Sequence, residues 1–151
     1  MDVFRIVHSK WSDKLVASGY AGRWNSTGLF VIYAAENCSL ACLENLVHRN
    51  GFGTNTDFKL LTISVPKTIE VIEIASTDLP PGWNDATENG HMICRIIGDA
   101  WIQNQKSSIL IVPSAIIPNE RNILINPNHP DFIFINFVSQ DFTFDNRLMI
   151  K

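Results

Sequence analysis

The chain has 151 residues, 46% of them hydrophobic and 18% charged, a balance that excludes a disordered segment and allows one real hydrophobic core. Its formal net charge is -3, with 12 Lys and Arg scattered along the chain, which excludes a protein whose main task is to hold nucleic acid. No stretch approaches eighteen uninterrupted apolar residues, and the N-terminus MDVFRIVHSKW lacks a charged region followed by an apolar run, so a soluble, cytoplasmic protein with no membrane contact is expected.

Taken in chain order, segments rich in Ile, Val and Phe predict strands at residues 3–7, 29–35, 58–65, 69–74, 109–112, 123–125 and 132–138. Between the second and third of these, Leu40, Leu43, Leu46 and Val47 fall on one side of a helix over residues 39 to 49. Ser39 is the expected start and Asn50-Gly51 the stop, where left-handed backbone is cheap. Residues 76 to 89, with Pro80, Pro81 and Gly82, predict a loop, and Ile93, Ile96, Ile97 and Trp101 predict a second helix. Strands that bracket a few helices, without regular alternation, predict an α+β fold in one domain spanning residues 1–151, with a central split or mixed sheet. Neither a G-x-G-x-x-G turn nor a Walker-type loop is present.

Several residues combine chemistry with an unusual setting. The segment GYAGRWNSTG, residues 19–28, sets Arg23 and Trp24 among three glycines, so it is either a surface loop with a buried Trp or a loop that brings a guanidinium to an anion, with Trp24 packing or stacking beside it. Tyr33 lies in the apolar run LFVIYAA, where its hydroxyl needs a partner or an opening. Leu40, Glu44 and His48 form a row along one helix edge, which makes Glu44 either a boundary residue facing water or a placed acid. Ser114 follows Pro113 at a strand end, as a turn former or as part of a site. Cys38, Cys42 and Cys94 are an odd count, with His48 near the first two. No second cysteine pair completes a zinc site, so no metal is expected and the thiols read as reduced.

The stretches GRWNSTG, VIYAAENCSLACLENLVHR, LPPGW, IGDAWI, VPSAIIPNERNILINPNHPDF and FTFDNRL span nearly the whole chain in order. Together they resemble the RES-domain toxins, a family named for an Arg, a Glu and a Ser. The resemblance implies a fold like the ADP-ribosyltransferase catalytic core and an enzyme that degrades NAD by breaking the nicotinamide–ribose bond. The family's Arg, Tyr, Glu and Ser fall on Arg23, Tyr33, Glu44 and Ser114; the chain departs from the family in a short segment between Trp11 and Arg23.

On that resemblance, Glu44 holds the ribose hydroxyls and faces the oxocarbenium charge of the transition state. Tyr33 lies against the nicotinamide, Arg23 fixes the ribose or pyrophosphate, and Ser114 orients the substrate or the acceptor without attacking it. Trp24, His48 and Arg5 are further candidates to border NAD. NAD is a substrate here, so no cofactor is implied, while inorganic phosphate or water is the acceptor. The resemblance also implies the toxin half of a bacterial toxin–antitoxin pair, with a helix-turn-helix (Xre-type) antitoxin as partner and a homodimer within the complex as one arrangement. Two other readings stand beside it: a mono-ADP-ribosyltransferase acting on a host protein, and a non-catalytic module that binds a nucleotide or a partner. Trp11 and Trp83 serve either a core or a partner surface.

Overall fold

Strand β1 (Asp2–His8) alternates its side chains between two apolar layers, Val3 and Val7 on one face and Phe4 and Ile6 on the other. The computed structural model describes residues 1–50 and 56–148. β1 is followed by β2 (Ile32–Ala35), helix α1 (Cys38–His48), β3 (Phe58–Ser64), β4 (Val71–Glu73), helix α2 (Glu88–Asn104), β5 (Ile109–Pro113), β6 (Arg121–Ile125) and β7 (Asn136–Phe142). The strands form one seven-stranded sheet in the order β4-β5-β6-β2-β1-β3-β7. β4 and β5 run parallel and the other neighbours antiparallel, so the sheet is mixed and the fold α+β.

Both helices cover the same face. α2 packs through Cys94, Trp101 and Ile102 on Leu110, Val112 and Leu124, while α1 packs through Leu40 and Ala41 on Ile6 and Leu60. The opposite face is a layer of β-branched and leucine side chains, including Ile32, Ile63, Ile109, Ile123 and Ile125, covered by Leu15, Ala17, Phe132 and Ile135. Each such fully buried aliphatic chain contributes about 1.5–3 kcal/mol, so this continuous layer is the main source of cohesion.

The sheet is unevenly stitched. β1 pairs with β3 along seven residues, from Asp2 with Ser64 to His8 with Phe58, yet meets β2 through the single pair Phe4 with Ala35. The strands part beside that point, and the opening lies between the two helices' footprints.

The predicted elements all appear, with shifted limits. Residues 29–31 precede β2 without pairing, although Val31 is buried, and β4 shrinks to three residues. The strand expected at 132–138 is a 3-10 helix, Pro130–Phe134, followed by β7. Pro130 stands at the start of that turn and the His129 ring accepts from Asp131 N, so cap chemistry overrides the apolar run. β7 is a mostly exposed, polar edge strand, which the periodicity of NFVSQDF conceals. The α1 cap is Asn37, whose side chain accepts from Leu40 N at 2.8 Å, not Ser39. Asn50 adopts φ 52°, as the stop requires; Gly51 lies outside the described residues. Among the described residues no helix is long and apolar enough to cross a membrane.

Candidate active site

A cleft of about 670 Å³ opens where β1 and β2 part, walled by α1, α2 and the 19–28 loop. Arg23, Trp24, Tyr33, Glu44, His48 and Arg5 all line it, so the fold gathers residues that are up to 43 positions apart in sequence.

The loop that carries Arg23 is built around Asn25, a fully buried amide. Its Nδ2 donates to the carbonyls of Tyr20 at 2.9 Å and Leu29 at 2.8 Å, while its Oδ1 accepts from Gly22 N at 3.1 Å and from the Tyr33 hydroxyl at 2.6 Å. The Tyr33 hydroxyl also accepts from Trp24 N at 3.0 Å. Burial, the largest influence on this phenol, raises its pKa well above the ordinary tyrosine value, so Tyr33 is a neutral clamp on the loop. Gly22 is required by contact: a Cβ there would lie 2.5 Å from the Tyr33 hydroxyl. From the other side, Asp99 of α2 accepts from Ser26 N at 2.8 Å and from the Ser26 hydroxyl.

Arg23 Nη1 donates to the carbonyls of Trp83 at 2.8 Å and Asp85 at 3.1 Å, which anchors the guanidinium to the turn before α2. Trp24 and Trp83 are 2% and 7% exposed and their rings lie 6.4 Å apart. Of the two expectations for the Trp24 ring, packing is what the structure shows; it is core, not an open stacking platform. Trp83 is likewise core, whereas Trp11 is 57% exposed.

Glu44 projects from α1 toward the β5 and β6 ends. Its Oε1 accepts from Asn122 Nδ2 at 2.7 Å and from the Ser114 hydroxyl at 3.2 Å. Ser114 is fully buried, and its oxygen accepts from Ile116 N and Ile117 N, each at 3.1 Å. One donor and two acceptor positions are thereby filled. Sequence similarity casts Ser114 as the residue that orients the substrate or acceptor; in the structure its hydroxyl holds Glu44 and closes the turn after β5. Among the described residues Asn122 Oδ1 is buried without a partner, and a flipped amide would set that oxygen against the carboxylate, so Glu44 fixes the orientation.

The far wall comes from α2. Arg95 Nε donates to Gly22 O at 2.8 Å, its Nη1 pairs with Glu88 at 2.6 Å, and His91 stands one helical turn before it. Burial, followed by the charges of Arg23 and Arg95, lowers the His91 pKa below the ordinary histidine value of 6.5. His48 is exposed at the rim. Arg5 reaches the cleft from β1; burial lowers its pKa to about 10, which leaves it a cation at neutral pH. The cleft therefore presents several cations and one held carboxylate.

Asn122, Asn25 and Arg95 do not stand out in the sequence, and His91 reads there as a solvated or structural histidine. For Arg95 and His91 the i, i+4 spacing on the polar side of a predicted helix was an available signal; for the two asparagines, nothing local separates them from turn formers. Among the described residues no three His, Cys, Asp or Glu side chains come together as a metal-holding group.

A family model described as RES domain matches residues 2–145. "Toxin Res" of Photorhabdus laumondii is 40% identical over 149 residues, covering 96% of this chain and 92% of that protein. "Prs ADP-ribosylating toxin" of a Sphingobium species is 44% identical over 112 residues, 73% of this chain and 68% of that protein. Among solved structures, the M. tuberculosis MbcT–MbcA toxin–antitoxin complex contains a chain that superposes with a TM-score of 0.68 at 18% identity, covering 94% of this chain and 84% of that one, a likeness of fold. Family match, relatives and architecture agree across nearly the full length, and the chain belongs to the RES domain family.

Proposed function

We propose that this chain is the toxin of a toxin–antitoxin pair and that it degrades NAD at the nicotinamide–ribose bond. The observation that carries this reading is Glu44, held on one oxygen by Asn122 and Ser114 at the edge of a cleft whose other walls are cationic. As the C1′–N bond of NAD breaks, its electron pair passes to the pyridinium nitrogen and neutralises it, and positive charge grows on the ribose. A fixed carboxylate that faces this oxocarbenium character stabilises the transition state more than the substrate. Arg23 and Arg5 supply charge for the ribose phosphates, and the Tyr33 ring borders the nicotinamide. The oxygen of water or of inorganic phosphate forms the new bond to C1′, and with water one proton is released.

The Sphingobium relative's name favours a second reading, in which the same bond breaks and a protein side chain is the acceptor. Incubation of the purified protein with NAD, with and without phosphate, separates the two: the first reading expects free nicotinamide with ADP-ribose or its 1-phosphate, the second expects ADP-ribose retained on protein. Glu44→Gln is expected to lower nicotinamide release at least a hundredfold; full turnover by that variant, shown to be folded, defeats both readings. Growth arrest with loss of cellular NAD on expression without the antitoxin tests the toxin role. The fold shared with a chain of a toxin–antitoxin complex supports a protein antitoxin as partner. That antitoxin, of helix-turn-helix type, is expected to block the cleft, and a complex that keeps full NAD turnover would contradict this.

A further inference from the structure

A second cavity, of about 600 Å³, lies on the other side of Arg5, between β1 and the segment that follows it. Its walls differ in character from the rest of the molecule. The whole chain is negative, at -3, yet Arg5, Lys10 and Lys14 face this space against one carboxylate, Asp13. The remaining lining includes the apolar side chains of Val7, Val16, Ala17 and Leu61. Trp11 stands at its side, 57% exposed, with Lys10 Nζ 5.3 Å from the ring centroid.

Arg5 is the link between the two spaces. It and Ser18 line both the Glu44 cleft and this cavity. Its Nη1 donates to Val16 O at 3.1 Å, and among the described residues no carboxylate pairs with the guanidinium. A guanidinium carries five N–H donors, and the bond to Val16 O uses one of them. A half-buried arginine with donors to spare, between two cavities of ligand size, fits an anion shared by both.

We propose that this second cavity holds the adenosine monophosphate half of the dinucleotide, with the pyrophosphate at Arg5 and the nicotinamide ribose in the Glu44 cleft. The assignment rests on NAD as the substrate. Lys10 and Lys14 meet the adenosine-side phosphate, the apolar wall takes the ribose and base, and Trp11 offers an aromatic face to adenine. A dinucleotide is thus gripped at both ends, and the adenine end contributes affinity remote from the reacting bond.

The test is calorimetric titration of the full chain with AMP. Wild type is expected to bind AMP, and both Trp11→Ala and the double variant Lys10→Ala/Lys14→Ala are expected to weaken binding at least tenfold. Inorganic phosphate as a second probe is expected to bind at least tenfold more weakly than AMP; equal affinity overturns the nucleoside part of the assignment. No AMP binding by wild type with an intact circular dichroism spectrum and thermal transition, or AMP affinity unchanged in both variants, overturns the proposal. In turnover, the double variant is expected to raise KM for NAD tenfold or more with kcat within twofold; a loss confined to kcat contradicts it. Nicotinamide release is followed on the same preparations. AMP binding without nicotinamide release supports a mononucleotide site while defeating NAD cleavage, and nicotinamide release without AMP binding does the reverse.

Discussion

Asn122 Nδ2 and the Ser114 hydroxyl converge on the same oxygen of Glu44, at 2.7 and 3.2 Å. Among the described residues nothing bonds the second oxygen, so the carboxylate is held by one oxygen and offers the other to the cleft. The acid sits on a helix and its holders sit on β6 and after β5, so its aim depends on how α1 packs against the sheet.

Removing either holder loosens that aim. Asn122→Ala is expected to lower kcat for NAD cleavage about ten- to a hundredfold with a smaller change in KM, as read by steady-state nicotinamide release. Asn122→Asp, which replaces the donor with an acceptor, is expected to do no better than alanine. Full kcat in both variants would remove Asn122 from the site.

Ser114→Ala carries a second cost. It strips Ile116 N and Ile117 N of their acceptor as well as Glu44 of a donor. Urea denaturation is expected to show a loss of about 1–3 kcal/mol, with a fall in kcat, while Ser114→Thr preserves more of both. Unchanged stability would mean that the turn finds another acceptor.

Gly22→Ala is expected to destabilise the protein by about 1–3 kcal/mol, because the new methyl falls 2.5 Å from the Tyr33 hydroxyl and 2.8 Å from Asn25 Oδ1. Tyr33→Phe opens space but leaves Trp24 N without its acceptor. The double variant is expected to cost less than the sum of the two, by at least 0.5 kcal/mol on the scale typical of contacting pairs. Strict additivity in a thermal-denaturation cycle would contradict the close approach. Gly98→Ala is the harsher change, since its Cβ would lie 1.8 Å from the Trp24 carbonyl, and α2 must move away from the loop to admit it.

His91 makes stability depend on pH. Its folded pKa is below 6.5, so as pH falls below that value the unfolded chain takes up the proton first and stability declines. The contribution is fully present above 6.5 and is lost on the acid side as pH falls through the folded value. His91→Gln is expected to flatten the fall in Tm below pH 6.5; an unchanged slope would show that other groups cause it.

How far the sequence reaches is visible in particular residues. The β-branched runs locate β1, β3, β5 and β6 because buried strands need apolar side chains on at least one face. Leu40 to Val47 locates α1 because one apolar stripe must meet the sheet. β7 escapes this logic: an exposed edge strand carries little periodic signal, and the Pro130 turn displaces it. Arg23, Tyr33, Glu44 and Ser114 were each ambiguous as single residues and stood out as a set only through resemblance to a family. Sequence alone determined the α+β class, the two helices and the family, since these depend on local pattern and residue type, and the family resemblance named the four candidate residues. The tertiary structure decided that Tyr33 clamps the Arg23 loop, that Ser114 serves Glu44, that Asn122 joins them and that Arg5 stands between two cavities. The first three of those relations connect positions 8 to 78 residues apart, through side-chain hydrogen bonds that no local periodicity encodes.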